Sequence, residues 1–160
     1  MLDSWTLYLG KDDRIYPVPK YRMSSFPKGS VLYNLHQAKE TAYKNGIIIV
    51  EGQLDVARLN TYGFTNAVCT LGTSLTAQQA ALLYRHCFGV VFLIEEGEPA
   101  LKGVVRSIKY LKVGMQVAIA KLPSGDADSN IKEIVTTTLN NKQILNPEDI
   151  EGICSGVKQI

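Results

Sequence analysis

The stretch "IIIVEGQLDVARL", residues 47–59, decides how this chain is read. Its first four residues, Ile47 to Val50, are all β-branched and carry no polar face. Such a run suits a strand covered on both sides. It leads straight into Glu51 and Gly52, and Asp55 stands four residues beyond Glu51. The end of a buried strand is a costly place for a carboxylate, and here a second acid lies one helical turn further on.

A rhythm extends downstream from this stretch. "LDVARLNTY" (54–62) has helical spacing and ends near Gly63. "NAVCTL" (66–71) predicts a second strand, with Gly72 opening a turn. Thr76 and Gln79 form a capping-box pattern, so "TAQQAALLYRHC" (76–87) predicts a helix. "GVVFLI" (89–94) predicts a third strand, and Pro99 suits the first turn of a helix over 99–112. "QVAIAKL" (116–122) predicts a fourth strand, ended by Pro123. Strands that alternate with helices and lack internal alternation imply an α/β fold. The expected sheet is four-stranded, mainly parallel and Rossmann-like, with helices on both faces.

Upstream, residues 31–44 predict a helix that stops at Asn45-Gly46. Residues 1–30 read as extended chain or loop, because Pro17, Pro19 and Pro27 remove donors and restrain their neighbours. Asn146, Pro147, Glu148 and Asp149 mark a helix start in the tail. The expected organisation is an N-terminal arm and helix over 1–45, a sheet domain over 46–135 and a helical tail over 136–160.

A chain of 160 residues, 46% hydrophobic, holds one domain-sized core. Its net charge of +2 does not suggest a strongly basic nucleic-acid binder, though a local basic patch stays open. Cys69, Cys87 and Cys154 have no C-x-x-C spacing, so no zinc knuckle is visible. Cys69 and Cys87 fall in apolar surroundings and read as buried thiols, consistent with a reducing cytoplasm. No apolar run approaches the roughly 20 residues of a membrane span, and no signal peptide is visible.

Ligands of an open parallel sheet bind beyond the carboxyl ends of its strands. Glu51 and Asp55 follow the first strand, "GTS" (72–74) the second, Glu95 to Glu98 the third, and Asp126 and Asp128 the fourth. Three of the four strand ends therefore deliver carboxylates to one edge. Singly, each acid has an ordinary explanation as a helix cap, a solvated helix residue or a turn former. Together they repel one another unless a cation sits among them. An all-oxygen set favours Mg²⁺ or Mn²⁺ over zinc and points to phosphoryl-transfer chemistry.

Other features read as structural. His36 and His86 suit structural positions within or at the end of helices, and Ser74 has no accompanying base. Lys102, Arg106 and Lys109 form a solvated helix face. Tyr16, Tyr21 and Phe26 interleave with Arg14, Lys20, Arg22 and Lys28. That pattern fits either a clamp for single-stranded nucleic acid or an arm packed on the sheet.

The motifs E-G-x-x-D (51–55), L-G-T-S-L-T (71–76) and L-Y-N-L-H-Q-A (32–38) resemble a toprim domain, the fold shared by topoisomerases and primases. More narrowly, residues 14–135 resemble the catalytic core of bacterial DnaG-type DNA primases. The resemblance implies that residues 1–45 match the end of the primase basic subdomain and that 46–135 is the toprim domain. It implies catalytic roles for Glu51 and Asp55. Metal ligation falls to Glu51, Glu96, Glu98, Asp126 and Asp128, with Glu96-Gly97-Glu98 matched to the family's D-x-D and Glu95 as an extra residue. Lys20, Arg22, Lys28 and Asn34 match positions of nucleotide or template contact.

The implied activity is metal-dependent nucleotidyltransfer that makes short RNA primers on single-stranded DNA, with Mg²⁺ or Mn²⁺ as cofactor and no zinc. The implied partners are a single-stranded DNA template and nucleoside triphosphates. A replicative helicase or a separate zinc-binding or primase subunit are further candidates; no membrane is implied, and the expected location is the cytoplasm. The family's zinc ligands are not among these residues, so the expectation is a stand-alone toprim core. Two alternatives use the same residues: a non-catalytic toprim module that binds nucleic acid or a replication protein, and a toprim nuclease.

Overall fold

The computed structural model describes residues 6–9, 15–18, 25–111 and 114–155. Strands β1 (Thr6–Leu9) and β2 (Ile15–Val18) pair antiparallel, Thr6 opposite Val18 and Leu9 opposite Ile15. This ladder replaces the irregular arm expected from the prolines. Pro17 is tolerated because each strand of a two-stranded ladder has a free edge where no donor is needed.

A short 3-10 turn (Lys28–Ser30) leads to α1 (Leu35–Asn45), which starts four residues later than its sequence pattern predicts. Tyr33 exchanges backbone hydrogen bonds with Cys69 at 3.1 and 3.3 Å, so it cannot join the helix. Asn34 then turns the chain with a left-handed φ of 67°, a conformation asparagine tolerates. The helix stops at Gly46, as expected.

Among the described residues, five further strands and five helices follow in order. They are β3 (Ile47–Val50), α2 (Gln53–Thr61), β4 (Ala67–Cys69), α3 (Ala77–Leu83), β5 (Gly89–Ile94), α4 (Glu98–Ile108), β6 (Gln116–Lys121), α5 (Lys132–Asn140), β7 (Gln143–Leu145) and α6 (Pro147–Ser155). Sheet order is β4-β3-β5-β6-β7, parallel except for β7. The expected sheet of four strands thus has a fifth. β7 runs antiparallel to β6, with Leu145 opposite Val117; its three residues are too few for a periodic signal. α6 begins where its cap pattern predicts: Asp149 N–H donates to Asn146 Oδ1 at 2.7 Å, and Asn146 N–H donates to Asp149 Oδ2 at 3.1 Å.

The apolar strand residues divide by parity. Ile47, Ile49, Val90, Phe92, Val117 and Ile119 pack with α1, α3 and α4 on one face. Ile48, Val50, Leu93 and Ala120 pack with α2 and α5 on the other. Cys69 and Cys87 are buried, and burial pushes both thiols up to about 11. No helix among the described residues is long and apolar enough to cross a membrane.

The chain leaves β3 for β4 on one side and returns to β5 on the other. Strand order therefore reverses between β3 and β5, and a crevice opens beyond their carboxyl ends.

Candidate metal centre at the strand ends

The crevice is a cleft of about 240 Å³. Glu51 and Asp55 line it from beyond β3, Thr70 and the loop 72–74 from beyond β4, Glu95 from beyond β5, and Asp126 from beyond β6. Carboxylate oxygens of Asp55, Asp126 and Asp128 lie within 4.8 Å of one another.

Asp55 is 7% exposed and its two oxygens are divided between two loops. Oδ2 accepts from Gly52 N–H at 3.0 Å, closing the first turn of α2. Oδ1 accepts from Asp128 N–H at 3.1 Å, holding the loop after β6. Burial pushes the Asp55 carboxyl above the usual range; these two amides pull the other way, and the charges of Asp126 and Asp128 push it further up.

Glu95 is also raised, first by burial, then by the charge and hydrogen bonding of Asp126, then by Glu51 and Asp55. An acid raised by folding is stabilising below its folded pKa and a liability above it. In a chelator, Glu95→Gln is therefore expected to melt higher than the wild type at neutral pH. The gap should close as pH falls through the raised carboxyl range, and a thermal melt series against pH checks it.

Glu96 and Glu98 do not line the cleft. Gly97, at a φ of 146°, caps α4, so Glu98 falls in the first helical turn. There it pairs with Lys102 at 2.7 Å, and first the hydrogen bond, then the charge, of that lysine holds its carboxyl below the usual range. Glu95 is the acid of this loop that the structure brings to Asp126. Glu95→Gln is expected to lower Mn²⁺ affinity by more than about 10-fold, against less than about 3-fold for Glu96→Gln or Glu98→Gln, measured by calorimetric titration.

The other candidates lie elsewhere. Lys20 and Arg22 lie outside the described residues. Lys28 is exposed at the start of the 3-10 turn. Asn34 is buried, and its side-chain amide donates to Ala67 O at 3.0 Å.

Residues with no local sequence signal brace the site. Asn130 Nδ2 donates to Ser124 O at 2.7 Å and to Asp126 O at 2.8 Å. Tyr62 Oη donates to Asn130 O at 2.8 Å, and Arg58 Nε to Asp128 O at 3.2 Å. On the opposite wall, Ser107 Oγ accepts from Leu75 N–H at 2.9 Å, tying α4 to the loop after β4. Gly103 completes that contact: a Cβ there would lie 2.3 Å from Thr73 O. Glycine to alanine inside a helix ordinarily gains up to ~1 kcal/mol. Here the backbone clash reverses the sign, and Gly103→Ala is expected to cost about 1–3 kcal/mol in urea unfolding.

The donor set is chemically uniform. All of the clustered groups are carboxylates, with no histidine or thiol among them. That set fits a hard divalent cation such as Mg²⁺ or Mn²⁺.

The toprim domain family matches residues 45–138. DNA primase of Clostridium acetobutylicum is 36% identical over 121 residues, 72% of this chain and 20% of that one. DNA primase of Aquifex aeolicus is 38% identical over 122 residues, 72% of this chain and 24% of that one. The chain thus spans about a fifth to a quarter of the length of these curated relatives.

Among solved structures, the zinc-binding and RNA polymerase domains of the Aquifex aeolicus primase align with a TM-score of 0.68 at 34% identity, over 85% of this chain and 35% of that one. The catalytic core of the E. coli primase aligns with a TM-score of 0.68 at 25% identity, over 94% of this chain and 54% of that one. The fold around the cleft is thus that of its relatives: this chain belongs to the toprim family, and its toprim domain is of the DnaG primase type.

Proposed function

We propose that this chain is the catalytic part of a primase-type nucleotidyltransferase, joining ribonucleotides into short primers on a single-stranded DNA template. The observation that carries the reading is the convergence of carboxylates from beyond three strands, Asp55, Asp126 and Asp128 within 4.8 Å of one another with Glu95 beside Asp126. Asp126 and Asp128, with Glu51 and Glu95, would hold Mg²⁺ or Mn²⁺. Such an ion, when bound, neutralises nucleotide phosphates and polarises phosphorus toward attack.

The chain's own groups do the rest. Glu51 is exposed and lines the cleft; on this reading it would accept a proton from an attacking hydroxyl. Asp55 is committed to two backbone amides and holds the loops after β3 and β6 at a fixed spacing. The loop 72–74, pinned by Ser107 and Gly103, forms the wall opposite the acids. On this reading, template engagement and loading draw on a zinc-binding module and a replicative helicase.

The test is synthesis of labelled RNA on single-stranded DNA with nucleoside triphosphates and Mg²⁺ or Mn²⁺. Product that disappears in Glu51→Gln supports the reading. No product under any of these conditions overturns it.

One observation favours a second reading. The loop after β5 gives the cleft only Glu95, since Gly97 has no side chain and Glu98 is paired with Lys102. A toprim module that binds nucleic acid without turnover fits that poorer acid set. Single-stranded DNA binding that persists in a chelator, with no product, would identify it. Loss of end-labelled single-stranded DNA in Mg²⁺ or Mn²⁺ would identify a nuclease instead.

A further inference from the structure

At the end of the sheet opposite the carboxylates, three large apolar side chains stand in solvent. Tyr43, Phe88 and Ile144 are 72%, 65% and 65% exposed. They come from α1, from the residue before β5, and from β7, and they line one concavity of about 190 Å³. The Tyr43 and Phe88 rings meet edge-to-face, with centroids 5.0 Å apart at 64°. Part of the floor is bare backbone, because Gly46 and Gly89 approach so closely that a Cβ on Gly46 would lie 2.9 Å from Gly89 O. Lys44 and Lys142 line the same hollow, and among the described residues no carboxylate does. Gln116, exposed at the start of β6, adds an amide.

We propose that this basal patch is a contact for single-stranded nucleic acid, one base stacking on the Tyr43–Phe88 pair with its flanking phosphates on Lys44 and Lys142. Two lysines without a lining acid select an anionic occupant. Exposed aromatic faces beside cations suit a flat base on a charged backbone, and the Gln116 amide offers both a donor and an acceptor to a base edge.

The dimensions argue against a protein partner. A helix is about 10–12 Å across with its side chains, too wide for a hollow that holds one ring. A stable protein interface takes roughly 800 Å² per partner, more than three side chains present. β5 is six residues long, so the patch lies roughly 20 Å from the cleft and needs no metal. The inference goes beyond the primase-type reading and does not depend on turnover.

The test is fluorescence anisotropy of end-labelled oligothymidylate with the full chain in a chelator. Tyr43→Ala and Phe88→Ala are each expected to weaken binding about 5- to 150-fold. Lys142→Ala is expected to weaken it less and to flatten its salt dependence. Photo-crosslinking with an iododeoxyuridine oligonucleotide, mapped by mass spectrometry on the wild type, should label Tyr43 or Phe88 even where a variant folds poorly.

Wild type without affinity, variants with unchanged affinity, or crosslinks confined elsewhere each overturn the proposal. So does an acidic peptide that binds the patch more tightly than the oligonucleotide. The primer-synthesis reading fails on a different result, absent product or product that survives in Glu51→Gln, so the two failures are distinguishable.

Discussion

Asp126→Asn is expected to weaken Mn²⁺ binding more than about 100-fold and to take primer synthesis below detection, while leaving the fold intact. Substitutions that merely support a metal ligand already cost about 10- to 100-fold in affinity, and Asp126 is in the cluster itself. Its backbone and its side chain are used for different purposes. The loop is held through the Asp126 carbonyl, which accepts from Asn130 Nδ2 and from Ser129 Oγ, both at 2.8 Å. The carboxylate faces Glu95 and Asp55 across the cleft. Asparagine keeps every loop bond and removes only the charge. In a chelator the variant should melt no lower than the wild type, because one like-charge repulsion is gone. Calorimetric titration with Mn²⁺, beside a melt in the chelator, separates lost metal from lost fold. Affinity within tenfold of the wild type would place the metal elsewhere.

Gln79→Leu is expected to have the largest effect on stability, a loss of about 3–5 kcal/mol by urea unfolding. Gln79 is fully buried. Its Nε2 donates to Val31 O at 2.8 Å, to Thr70 O at 2.9 Å and, less closely, to Lys28 O at 3.2 Å. Its Oε1 accepts from Thr76 N–H at 3.0 Å. One amide therefore ties α3 to the segment before α1 and to the end of β4. Leucine fits the volume but satisfies none of these groups. Each buried orphan costs about 1–3 kcal/mol, against a total stability of about 5–15 kcal/mol for a typical domain. Residues 28–31 should also become sensitive to protease in the variant under native conditions.

Much of the architecture was legible because buried parallel strands announce themselves. Ile47–Val50 and Gly89–Ile94 are apolar runs of strand length, and their observed bounds are those of the runs. Gln143–Leu145 carries no such mark, being short and half exposed at a sheet edge. The hairpin of β1 and β2 was masked by Pro17, which reads as a breaker until its partner strand is known.

The acids show the same division. Glu51, Asp55, Asp126 and Asp128 are legible from their positions just past the carboxyl ends of apolar runs. At the third strand the spacing of a motif competed with that positional rule and pointed to Glu96 and Glu98. The structure puts Glu95, the first residue after β5, in the cleft. Of the braces, Tyr62 and Arg58 were illegible because their partners lie far off in sequence, while Asn130 bonds to nearby backbone carbonyls, which carry no residue-type signal. Tyr62 reaches across 68 residues and Arg58 across 70.

The hydrogen bond from Asp128 N–H to Asp55 Oδ1 joins residues 73 apart in sequence. The first acids of the cleft are therefore synthesised long before the loop that orders them. At about 5–20 residues per second, a ribosome needs on the order of 4–15 s to cover that interval. Until Asp128 is made, Asp55 lacks one of its two amide partners. The cleft is therefore expected to be completed late, once the loop after β6 is available. A nascent chain halted before residue 126 should expose Asp55 to solvent and bind no Mn²⁺, even with β3, β4 and β5 already paired.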